Sequence, residues 1–249
     1  SNSFSIKDRS TINYHTFVEV FGVKSCEAED IFQSGIEKLS RCPEPKSLVP
    51  HATYSVSSEL YSKINSHNTG EIICIHNQET SSEDEVFSNS SGKLYDYLKG
   101  FGNLNIKGDS ALQSILLKLP IDTPIILVHN TFTKKNDIDW ISAHGYSTYF
   151  CTCPKANLYI EDSLPDYSIF DITKLCVGTD SLASNETLSI LDELRVIKEN
   201  SNFDINTLLK IGSKNGAKAL GFSDLGTFER GKTPGVNLIK DFKYIDVIR

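Results

Sequence analysis

A chain of 249 residues is long enough for one large domain or two small ones. Its 39% hydrophobic and 23% charged residues are ordinary for a soluble globular protein, and a formal charge of −7 without a Lys/Arg cluster argues against nucleic acid and anionic membrane as partners. No apolar run reaches the roughly 18 residues of a membrane span, and residues 1–10 carry no signal-peptide pattern, so a cytoplasmic location is expected.

The predicted elements alternate. A strand over 14–21 (YHTFVEVF) precedes a helix over 27–39, where Ile31, Phe32, Ile36 and Leu39 share a face. A short strand over 47–50 and a helix over 57–64, capped by Ser57 or Ser58, follow. Next come a strand over 71–75 (EIICI) and a helix over 82–99, with Ser82 and Glu85 as a capping box. Residues 100–108 are turn-rich, and 111–118 is helical. A strand over 124–128 (PIILV), a helix over 134–143 and strands over 147–151 and 174–177 come after. Helices over 185–199 and 205–219 take Asn185 and Asp204 as caps. The tail holds two β-like pieces, 236–239 and 244–248.

Six buried strands, mostly separated by helices, predict an α/β fold with a parallel sheet covered by helices. One domain over 1–220 and a separate β tail over 221–249 are expected. In such a sheet, function sits at the C-terminal ends of the strands. His51 follows the second strand, His76 the third with Glu79 three residues on, His129 the fourth, and Asp180 closes the last in Gly178-Thr-Asp180-Ser. His15, His67 and His144 lack this context and read as structural. The six cysteines (Cys26, Cys42, Cys74, Cys151, Cys153 and Cys176) read as reduced thiols. Cys151-Thr-Cys153 has one intervening residue and no matching pair, which weighs against a metal or redox site.

The ordered set His76-x-x-Glu79-Thr80, His129, Cys153-Pro-x-x-Asn157 and Gly178-Thr-Asp180-Ser-x-x-Ser-Asn185 resembles the amidohydrolase superfamily. The similarity is to its branch of cytosine, guanine and S-adenosylhomocysteine deaminases and atrazine-type chlorohydrolases. Pro50-His51-Ala-Thr-Tyr-Ser fits a stretch common there, with Thr53 where proline is usual. The resemblance implies a (β/α)8 TIM-type barrel, present here as strands three to eight, with the tail belonging to a small β-sandwich. It implies one divalent metal, zinc first and iron as the alternative, with His76 and Asp180 as ligands. Glu79 would move protons at the leaving group, His129 would polarise the attacking hydroxide, and His51 would contact substrate. The implied reaction is hydrolytic deamination of a small amino-heterocycle by metal-activated hydroxide, and a homodimer is one implied assembly. A chlorohydrolase or cyclic amidohydrolase would use the same site. The rival is a non-catalytic small-molecule-binding barrel, because the family's His-x-His pair does not occur in this sequence. That gap and the absence of Met even at position 1 lead to the expectation of a missing N-terminal segment. A phosphate-binding barrel is disfavoured, because no Gly-rich loop follows the last strands.

Overall fold

The computed structural model describes residues 12–101 and 108–248. The start, read as lacking a signal peptide, and the middle of the turn-rich 100–108 connection lie outside the described residues. The element order is β1 (Thr16–Val20), α1 (Ala28–Ser40), β2 (Lys46–Pro50), α2 (Ser58–His67), β3 (Ile73–Asn77), α3 (Ser81–Asn89), α4 (Gly92–Leu98) and α5 (Ala111–Leu116). It continues through β4 (Ile125–His129), α6 (Lys135–His144), β5 (Thr148–Thr152), α7 (Pro154–Glu161), β6 (Leu175–Val177), α8 (Ile190–Glu199), α9 (Ile205–Ile211) and α10 (Lys214–Ala219) to β7 (Val236–Lys240) and β8 (Lys243–Ile248). Two compact units emerge: Ser1–Leu127 with Asp139–Thr148, and Val128–Ile138 with Tyr149–Arg249.

In the first unit β1 and β2 are parallel, with Val18 opposite Leu48 and Val20 opposite Pro50. The His51 N–H donates to the Val20 carbonyl, and the His76 N–H donates to the His51 carbonyl, both at 3.0 Å. These bonds carry the order from β1 through β2 to β3. The Ile73 N–H reaches the Pro124 carbonyl and the Ile125 N–H reaches the Ser147 carbonyl, so the starts of β3, β4 and β5 follow in sequence. β1 alternates: Thr16, Val18 and Val20 are buried while Glu19 is exposed. Leu60, Ile64, Ile75, Leu112, Ile115 and Leu127 lie in the core at 1% exposure or less. Each such side chain contributes about 1.5–3 kcal/mol through burial.

In the second unit β5 and β6 are parallel, with Phe150 opposite Leu175 and Cys151 opposite Cys176. Asn215 of α10 donates to the Ile172 and Leu175 carbonyls at 2.7 Å, fastening that helix below β6. β7 and β8 form an antiparallel hairpin. Its two loop residues, Asp241 and Phe242, both have positive φ, as the turn that matches strand twist requires. Of the six cysteines, Cys26 is exposed, Cys42, Cys153 and Cys176 are buried, and Cys74 and Cys151 are intermediate.

Some predicted boundaries shift. The helix expected over 82–99 is two, broken where Ser90 turns left-handed (φ 50°) and Gly92 takes φ 93°. The capping box is Thr80 with Glu83, two residues before the expected Ser82 and Glu85. Ser189, not Asn185, caps α8: its hydroxyl accepts the Asp192 N–H, while Asn185 Oδ1 accepts the Thr187 N–H and its amide donates to the Thr179 carbonyl and the Glu193 carboxylate. α7 was not expected, since Pro154 reads as a breaker although it sits in the first helical turn, where proline is tolerated. The helix expected over 205–219 divides at Gly212 and Ser213, with Asp204 capping the first part as predicted.

Candidate active site

β3 runs two residues further than its apolar core suggests, so His76 lies within the strand rather than after it. Its Nδ1 donates to the His51 carbonyl at 2.7 Å, which leaves Nε2 as the lone-pair nitrogen. His51 Nδ1 meets Ser55 Oγ at 2.7 Å, while that hydroxyl donates to the Ala52 carbonyl. The two imidazoles lie 4.9 Å apart between ring centroids. Glu19, from the exposed face of β1, brings a carboxylate oxygen to 3.4 Å from His76 Nδ1. One ligand atom from each of Glu19, His51 and His76 lies within 4.8 Å of the others.

Burial pushes the His51 imidazole below its ordinary pKa, with Glu19 and Glu79 pulling it up and His76 pushing it down. The result favours the neutral ring, which is the ligand form. Two imidazoles and a carboxylate are a fitting donor set for zinc or ferrous iron.

Glu79 follows the strand on a loop whose Gln78 is left-handed (φ 45°) and buried. That loop is held from below by Glu83, whose carboxylate accepts from the Gln78, Glu79 and Thr80 N–H groups at 3.0, 2.8 and 3.3 Å. Beside the cluster, a cavity of about 690 Å³ is lined by Glu19, Phe21, Tyr54, Ser55, Leu94 and Tyr97, among others. Glu19 therefore belongs to both the cluster and the cavity wall, and Ser55, the partner of His51, also lines the cavity.

The second unit places His129 and Asp180 at strand ends. His129 is the last residue of β4, 1% exposed, with φ 71°. Its Nδ1 pairs with Asn157 Oδ1 at 2.9 Å, and Asn157 Nδ2 returns a bond to the His129 carbonyl. The Cys153-Pro-x-x-Asn157 stretch thus orients an imidazole. Asp180 is also left-handed (φ 55°) and exposed. Its carboxylate accepts from the Ser181 N–H at 2.7 Å and from the Ser184 hydroxyl. Glu193, raised in pKa by burial, accepts from Asn185 and from the Lys155 N–H, tying α7 and α8 to the Asp180 loop. Left-handed backbone at Gln78, His129 and Asp180 is strain of the kind that gathers at functional sites.

The hydrogen bond with Cys151 and, after it, burial push the Cys153 thiol well up, an unreactive state. His15 bonds Ser47 at 2.8 Å, His67 packs edge-on to Phe32 and His144 stacks on Trp140, so all three have structural partners. Glu19 and Glu83 are site residues that sequence reasoning passed over. Glu19 is the lone acid in the β1 run, and Glu83 stands three residues after Thr80, a capping-box spacing.

Two imidazoles and a carboxylate converging along β1, β2 and β3 suit a metal-dependent hydrolase. The Amidohydrolase family matches residues 44–247, and this chain belongs to that metal-dependent family. It is similar to adenosine deaminase of Helicobacter pylori, 27% identical over 239 residues, which cover 90% of this chain and 58% of the relative. It is similar to aminodeoxyfutalosine deaminase of Nitratiruptor sp., 23% identical over 237 residues, 90% of this chain and 57% of the relative. Among solved structures, Helicobacter pylori aminofutalosine deaminase in complex with methylthio-coformycin superposes with a TM-score of 0.78 at 24% identity. That match covers 94% of this chain and 60% of the solved one. The fold is therefore α/β, its strands being part of a (β/α)8-type barrel. The chain spans less than two thirds of the length of these relatives.

Proposed function

We propose that this chain serves the hydrolytic deamination of a small-molecule amino-heterocycle, with a divalent metal held at His76, zinc first and iron as the alternative. The observation that carries the reading is the convergence of Glu19, His51 and His76 in the first unit. Membership of the Amidohydrolase family and likeness to proteins named as deaminases support it.

When bound, the metal lowers the pKa of water and so supplies a nucleophile near neutrality. His76 would be a ligand, with Glu19 and His51 as neighbouring donors; His51 alternatively keeps the substrate contact that the family resemblance implies. Asp180 is assigned as a ligand carboxylate and His129 as the imidazole that polarises the attacking oxygen. Glu79 stands three residues past His76 and would pass a proton to the departing nitrogen, the role of an unligated carboxylate. The cavity beside Glu19 and Ser55 would take the body of the heterocycle. Residues 221–249, with their hairpin, are assigned to an accessory β-sandwich and 1–220 to the barrel portion.

Elemental analysis of the purified protein, paired with a screen of aminopurines and aminopyrimidines for ammonia release, tests this. About one zinc or iron per chain, and ammonia release abolished in Glu79→Gln with metal retained, is the expected result. Protein without metal that releases no ammonia even after zinc is added would sink it.

A further inference from the structure

The Glu83 carboxylate does more than cap α3. It is fully buried and accepts three successive N–H groups of the loop that carries Glu79. A fourth donor arrives from a different loop: the Thr53 hydroxyl, 2% exposed, reaches Glu83 Oε2 at 3.2 Å. Thr53 stands two residues past His51, so one carboxylate joins the His51 loop to the Glu79 loop. The same oxygen, Oε2, takes both Thr53 and the Gln78 N–H. The left-handed Gln78 is costly for a non-glycine residue and is held where its N–H meets that oxygen. Proline, usual at the Thr53 position in the resembling branch, has no hydroxyl to offer.

We propose that Thr53 and Glu83 form a clasp that fixes the His51 loop against the Glu79 loop, making both of them positioning residues for Glu79. The clasp rests on the deaminase reading only for the role of Glu79; the hydrogen-bonded junction itself does not depend on it. Glu83→Gln replaces one acceptor oxygen with an NH2 donor, which sets donor against donor at buried backbone N–H groups, and the loop then has to find another conformation. Losing only the hydroxyl unties one loop from the other while the cap stays.

The experiment compares wild type with Glu83→Gln, Thr53→Val and the conservative Thr53→Ser, by amide hydrogen exchange and by kcat and KM for ammonia release from the aminopurine that wild type turns over. Glu83→Gln is expected to speed exchange at Gln78, Glu79 and Thr80 at least tenfold, with the amides of β4 and α5 unchanged. Thr53→Val is expected to speed it several-fold at Gln78, and Thr53→Ser to restore it. In kinetics, kcat is expected to fall tenfold or more in Glu83→Gln while KM stays within threefold. Exchange within twofold of wild type in both disruptive variants, or a uniform rise over the whole first unit, would overturn the clasp. A loss expressed in KM alone would overturn the positioning of Glu79. If wild type releases no ammonia from any substrate, the deaminase reading fails and exchange alone decides the clasp.

Discussion

Glu83 makes stability depend on pH in a direction opposite to that of most carboxylates. Burial pushes its pKa up to about 7, against the pull of three backbone donors. The unfolded chain releases that proton near the ordinary value of about 4.5. Between these limits the folded state binds more protons than the unfolded state, so stability falls as pH rises through the window and is lowest above it. A shift of this size is worth on the order of 3 kcal/mol. Denaturant midpoints measured from pH 5 to pH 8 should fall, and the Glu83→Gln profile should be flatter over the same range; parallel profiles would refute the assignment. His76 offers a second residue-scale outcome. His76→Ala should weaken zinc binding at least tenfold by calorimetry, and Glu19→Gln should weaken it less, since the carboxylate is the more exposed donor. The placing of His51 and His129 at strand ends was legible because each closes an apolar run. Glu19 was not, because an acid on a half-exposed strand face looks the same in sequence whether it meets water or two imidazoles.

Helix ends set the reach of sequence reasoning among the elements. Asp204 was readable as a cap, and its carboxylate accepts the Thr207 N–H at 2.7 Å. Asp204→Ala should lower the urea denaturation midpoint through the lost N-cap bond, and Asp204→Ser should recover most of the loss. Asn185 looked equally suited, but its Oδ1 accepts the Thr187 N–H, and Ser189 takes the cap. The break between α3 and α4 was hidden for a related reason. Ser90 and Ser91 carry no strong punctuation in sequence, and it is the left-handed turn at Ser90, followed by Gly92, that ends the helix. Strands fared better than helices because a continuous apolar run has few other uses in a chain of ordinary composition.

Over the whole molecule, the acidic balance has a simple consequence. A chain of formal charge −7 should pass unretained through a heparin column at about 0.1 M salt, where charges more than roughly 10 Å apart are screened. Retention would reveal a basic surface that composition conceals. The fold class and the family were legible because the order of strand-end residues survives even where individual motifs are short. The division into two compact units was not, because it follows from which segments pack together, and residues 139–148 belong with the first unit after residues 128–138 have gone to the second.

The distribution of thiols also makes the protein easy to observe. Cys26 is exposed while the other five cysteines are wholly or partly shielded. Its neighbours Lys24 and Glu27 stand on the wall of the cavity beside Glu19. A maleimide fluorophore added at one equivalent should therefore settle on this position, without any engineered cysteine. Its emission would then serve as an optical gauge of whatever enters that cavity, readable during a titration before any product is formed.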